Sequence, residues 1–103
     1  MKEKILDTKD LIDYQNESIV SKMMINKKSG SVTLFAFDKN QGLSEHTAPF
    51  DAFIQILEGE AQITIAGTKY IVKQNQSIIM PADKPHAVYA NTQMKMMLTM
   101  IKN

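Results

Sequence analysis

Cysteine, arginine and tryptophan are all missing from the 103 residues. Without thiols there can be no disulfides, zinc fingers, iron–sulfur clusters or thiol nucleophiles. Stability must therefore come from a packed core, extended if necessary by a partner subunit. Without arginine the chain lacks the side chain that grips phosphates bidentately and reads guanine edges. The twelve basic residues are all lysines, set against eleven acids for a net charge of +1. They are scattered, with Lys27-Lys28 the one adjacent pair, so no basic stripe exists and no nucleic-acid partner is expected. No apolar run has the length of a membrane-spanning helix. Met1-Lys2-Glu3-Lys4-Ile5-Leu6-Asp7 carries charges where a signal peptide would be apolar. A cytoplasmic location with no membrane association is the expectation.

Long amphipathic helices are scarce as well. The best helical stripe is Leu6 to Tyr14, where Leu6, Leu11, Ile12 and Tyr14 can line one side of a short helix. What the chain has instead is short β-rich runs between turn residues: Ser18 to Ile25, Ser31 to Phe37, Phe50 to Leu57, Ala61 to Ile65, Lys69 to Val72, Ser77 to Met80, His86 to Tyr89 and Met94 to Ile101. Ala61 to Ile65 alternates apolar with polar, so one of its faces is buried and the other is at least partly wet. Many short strands with Gly, Pro and Asn turns predict one antiparallel sandwich or barrel. The division expected is an N-terminal extension over residues 1–17 and a barrel domain over 18–103.

The last run is apolar on both faces, with Met96, Leu98 and Met100 on one and Met97 and Ile101 on the other. It should lie between two buried layers, the barrel interior and a second sheet or subunit. The Ser18-to-Ile25 run is similarly apolar, and a homodimer sharing such edge strands would protect them. The eight methionines read as filling for an irregular core rather than as soft metal ligands.

Two segments carry chemistry. The first is Asn40-Gln41-Gly42-Leu43-Ser44-Glu45-His46-Thr47-Ala48-Pro49-Phe50-Asp51-Ala52-Phe53-Ile54-Gln55-Ile56-Leu57-Glu58-Gly59. The second is Asn75-Gln76-Ser77-Ile78-Ile79-Met80-Pro81-Ala82-Asp83-Lys84-Pro85-His86-Ala87-Val88-Tyr89-Ala90. They resemble the paired signatures of the cupins, G-x5-H-x-H-x(3,4)-E-x6-G and G-x5-P-x-G-x2-H-x3-N, with the fifteen residues Glu60 to Gln74 between them. The resemblance runs from about Ser18 to the C-terminus. It implies an all-β, RmlC-like jelly roll: an antiparallel β-barrel of two facing sheets, also described as a double-stranded β-helix. Asn40, Asn75 and Asp83 stand where the pattern has glycine. Asn and Asp tolerate a left-handed backbone best after glycine, so the turns should survive.

Cupins commonly hold a metal through three histidines and a glutamate. By that resemblance His46 and His86, the two histidines of the chain, occupy ligand positions, while Ala48 and Ala52 replace a histidine and the glutamate. Asp51 neighbours the lost glutamate but should point to the opposite face unless a bulge redirects it. Glu45 and Asp83 are surface carboxylates near the histidines, and Tyr89 can bring its hydroxyl toward a pocket rim. The leading expectation is a binding module without catalytic apparatus. Its pocket is lined by His46, Ala48, Ala52, Ile54, His86 and Val88, and suits a small, partly apolar ligand that accepts hydrogen bonds from imidazole. Whether it is an enzyme stays open: the alternative is a metal-dependent oxygenase or isomerase, with His46, His86 and one further ligand holding a divalent transition metal. The metal-free reading is placed first. A third reading leaves the pocket vestigial and gives the apolar strands to a protein partner.

Overall fold

The structure, a computed structural model, describes residues 2–102. Met1 and Asn103, the outermost residues of the two expected segments, lie outside the described residues. Among the described residues nine strands follow one another: β1 (Ile19–Lys27), β2 (Gly30–Phe37), β3 (Gly42–His46), β4 (Asp51–Glu58), β5 (Glu60–Ile65), β6 (Thr68–Lys73), β7 (Ser77–Met80), β8 (His86–Ala90) and β9 (Met94–Ile101). All pairings are antiparallel. They form a five-stranded sheet in the order β1-β2-β9-β4-β7 and a four-stranded sheet in the order β3-β8-β5-β6.

Alternation explains how the sheets face each other. Ala52, Ile54 and Ile56 on β4 are buried and share a core with Ala61 and Ile63 on β5 and Val88 and Ala90 on β8. Their sequence neighbours point outward, as the two-residue period of a strand requires. Phe37, Met94 and Met96 complete the filling with no exposed surface to speak of. Side chains of this size each contribute on the order of 1.5–3 kcal/mol when fully buried.

Chain order places β9 last, yet it lies between β2 and β4 in the middle of its sheet. Its inner side packs into the barrel through Met94 and Met96. On its outer side Met97 packs with Ile12, Leu11, Tyr14, Leu34 and Ala36. The second layer over this strand is therefore the chain's own N-terminal segment. That segment is not the expected short helix over Leu6 to Tyr14. It makes a single 3-10 turn at Thr8–Leu11 and then runs extended through Ile12 as a strap. Two polar contacts tie the strap down: the Tyr14 hydroxyl donates to Glu58, and Lys95 Nζ donates to the Lys9 carbonyl at 2.7 Å. Burial, reinforced by the Glu58 carboxylate, pushes the Tyr14 phenol above its usual range.

β3 is the one strand the apolar pattern does not announce, because only Leu43 within it is even half-buried. The three turns that lack glycine behave as expected, with Asn40, Asn75 and Asp83 at φ values of 70°, 68° and 64°. Gly59, between β4 and β5, has no substitute. It sits at φ 75°, and a Cβ there would fall 2.1 Å from the Gln93 carbonyl oxygen.

Candidate functional site

Two loops frame one end of the barrel. The segment from His46 to Asp51 joins β3 to β4, and the segment from Met80 to His86 joins β7 to β8. They are stitched together by main-chain donors: the Asp83 amide donates to the Ala48 carbonyl and the Ala82 amide donates to Asp51 Oδ1, both at 2.8 Å. Asp51 thus faces away from the interior, as alternation requires, and caps the second loop.

A bulge in β3 brings the two histidines together. Leu43 pairs with Val88 in register, but His46 pairs with His86, a slip of one residue within β3. That slip reverses the alternation and turns His46 toward its partner. The Nε2 atoms are 3.1 Å apart, with ring centroids at 4.3 Å and an edge-on angle of 70°. His46 Nδ1 donates to the Ser44 carbonyl at 2.9 Å, and His86 Nδ1 donates to the Lys84 carbonyl at 3.2 Å. A carbonyl can only accept, so each neutral imidazole carries its proton on Nδ1 and presents a lone pair at Nε2. His86 is 6% exposed, whereas His46 lies open at the rim. Burial lowers the His86 pKa below the ordinary imidazole value; the nearby His46 adds to this and the Lys84 carbonyl opposes it.

Two lone pairs at this distance repel unless something electropositive comes between them. A proton can, and so can a metal cation. With metal–nitrogen bonds of about 2.0–2.1 Å, neighbouring nitrogens around one ion sit roughly 3 Å apart. Backing of Nδ1–H by carbonyls is also how metal-binding histidines are held. Two ligand positions thus suit a transition metal. The set stops there: among the described residues no group of three or more His, Cys, Asp or Glu side chains converges.

The other expected pocket residues divide. Ala52, Ile54 and Val88 are buried within the hydrophobic core, with Ile54 fully covered, while Ala48 is half-buried on the loop. Glu45 and Asp83 are exposed. The Tyr89 hydroxyl donates to Asn40 Oδ1 at 2.9 Å, far along the strand from the histidines. One group escaped the sequence reading. Ser31 on β2 is 4% exposed, and its hydroxyl finds no hydrogen-bond partner. It is in register with Met100, which is in register with Ala52. Ser31 therefore belongs to the inward-facing row at the histidine end. A serine in a β-run carries no mark of this; only the register reveals it.

The model of the cupin domain family matches residues 33–102. The chain is a cupin. This cupin is similar over its whole length to a solved conserved protein of unknown function from Streptococcus pyogenes, at 34% identity, 90% coverage of that chain and a TM-score of 0.96. A cupin superfamily protein from Desulfitobacterium hafniense is 25% identical over all of this chain and 94% of its own, with a TM-score of 0.94. A cupin 2 conserved barrel domain protein from Leptotrichia buccalis is 38% identical over 91% of this chain and 46% of its own, with a TM-score of 0.89. No curated protein matches the sequence.

Proposed function

We propose that this cupin binds a small molecule at the barrel end, anchored by His46 and His86. The observation that carries the reading is the approach of the two Nε2 atoms to 3.1 Å while both Nδ1 atoms are held by main-chain carbonyls. It also changes the chemistry expected of the ligand. Because both Nδ1 protons are already committed to main-chain carbonyls, neutral imidazoles accept rather than donate. The ligand is thus one that presents a hydroxyl, amide or ammonium donor, with its apolar part toward the alanine side of the mouth.

The carbonyl-backed geometry favours a second reading, in which the pair holds a divalent transition metal. Such an ion would supply Lewis acidity, with water or substrate oxygens completing its shell, as in a metal-dependent oxygenase or isomerase. One sequence of measurements separates the two. Metal content is read by mass spectrometry on protein purified without chelators, and the chelator-treated protein is then screened against metabolites by thermal shift. A metabolite that raises the melting temperature of metal-free protein, and fails with His46→Ala, supports the binding module. Near-stoichiometric metal that is lost in His46→Ala and His86→Ala, with no metal-free ligand, overturns it in favour of the metal-dependent reading.

A further inference from the structure

The outside of the four-stranded sheet, behind the barrel interior, carries a hollow of its own. Register sets two outward rows side by side there. One reads Gly42–Tyr89–Gln62–Ile71 from β3 to β6. The other, two residues along, reads Ala87–Thr64–Lys69 from β8 to β6. Between these rows and Ser44 of β3 lies a depression of about 370 Å³. That is within the range of roughly 300–1,000 Å³ found for small-molecule sites.

Each part of the hollow follows from a residue type. Tyr89 is 39% exposed, yet its side chain is held at both ends. Its hydroxyl donates to Asn40 Oδ1 at 2.9 Å, and its ring passes over Gly42. A Cβ at Gly42 would come 3.3 Å from Tyr89 Cδ1 and 2.7 Å from the Val88 carbonyl oxygen, so only glycine lets the ring lean across β3 in this way. Ala87, the preceding outward residue of β8, ends at its methyl group and keeps the floor low. Gln62, Thr64 and Ser44 supply an amide and two hydroxyls around the ring. Each of these groups can both donate and accept. Among the described residues the lining carries no charge.

A ligand for such a surface needs an apolar face to lie on the tyrosine and a rim of groups that donate and accept alike. It also needs no charge of its own, because the nearest outward cation, Lys69, lies beyond Thr64 on β6. A neutral sugar ring meets all three requirements, with C–H bonds on its face and hydroxyls around its edge. We infer that this hollow binds a neutral carbohydrate, stacked on Tyr89 and hydrogen-bonded through Gln62, Thr64 and Ser44. The ring is fixed before the ligand arrives, so little side-chain freedom is lost on binding. The site lies on the opposite side of the sheet from the interior that His86 faces, and it stands whether or not the histidines bind anything.

The test is a titration of isotope-labelled protein with methyl glucoside, methyl galactoside and maltose, followed by amide chemical shifts. At least one of the three should give saturable shifts centred on Gly42, Gln62, Thr64 and Ala87. Tyr89→Ala should weaken binding by roughly tenfold or more, as expected for an aromatic anchor. Gln62→Ala should weaken it by roughly two- to tenfold, the worth of one hydrogen bond. Because Tyr89→Ala also uncovers Gly42, Thr64→Val serves as a variant that keeps the side chain's shape, and it should behave like Gln62→Ala. No saturable shift with any of the sugars, shifts gathered around His46 and His86 instead, or full affinity in both Gln62→Ala and Thr64→Val would each overturn the inference. So would adenosine saturating the same amides where the sugars do not.

Discussion

The two ends of the barrel interior solve opposite problems with the same strands. At the end built around Phe37, Ile56, Ala61, Ala90 and Met94, every inward side chain is apolar and none of them is exposed. At the other end the inward row contains Ser31 with an unpartnered hydroxyl, and the facing sheet brings two imidazole lone pairs together. The first end gains stability from each residue. The second gives some up, since a buried polar group without a partner costs about 1–3 kcal/mol. Unmatched polar groups set this end apart from the apolar packing of the other, and they are where the proposed ligand would complete its bonding.

Substitutions at each end test that contrast. The largest effect belongs to the packed end. Ile56→Ala should cost about 2–5 kcal/mol of unfolding free energy, read from denaturant titration, because it opens a cavity that neighbouring strands cannot close. Acid comes next. The folded pKa of His86 lies below its unfolded value, so unfolding takes up a proton. Its contribution is complete above the unfolded value of about 6.5 and is lost as pH falls through the folded pKa. Melting temperature in chelator-treated protein should decline over that window, and His86→Gln should flatten the decline. An unchanged pH profile in His86→Gln would place the acid sensitivity elsewhere.

Ser31→Ala should do the reverse of a core truncation. Removing an orphaned hydroxyl leaves unfolding free energy unchanged or raises it by up to about 1 kcal/mol, whereas a hydroxyl with a hidden partner would show a loss. The smallest change in stability is expected for His46→Ala, within roughly 0.5 kcal/mol, since that side chain is exposed at the rim. Its effect should show in ligand or metal binding instead.

The same contrast governs what could be read from sequence. Strands that bury one face in the core announce themselves through alternation, which gave a sandwich or barrel; the cupin resemblance supplied the two-sheet jelly roll and the turn positions Asn40, Asn75 and Asp83, which are left-handed. β3 did not, because Ser44, Glu45 and His46 are all exposed and their position is set by pairing with β8. The strap kept its apolar residues against the sheet but not its helical form, since Ile12 and Tyr14 gain more from the outer face of β9 than a three-turn helix gains alone. At the site, the pairing of His46 with His86 rests on a one-residue bulge, and the direction of their hydrogen bonds on two carbonyls. Neither leaves a trace in residue type.

The central place of β9 has a consequence for how the protein is made. Of the nine strands it leaves the ribosome last, yet β2 and β4 both pair with it. Until it emerges, the two strands that border it each present an open edge, and Leu34, Ile54 and Ile56 lack the Met97, Leu98 and Met96 that pair beside them. Sheet closure thus waits until β9 has been made, and the nascent chain passes through a stage whose exposed edges invite aggregation. Translation stalled before Met94 should yield a product that is insoluble or held by chaperones rather than a smaller folded barrel.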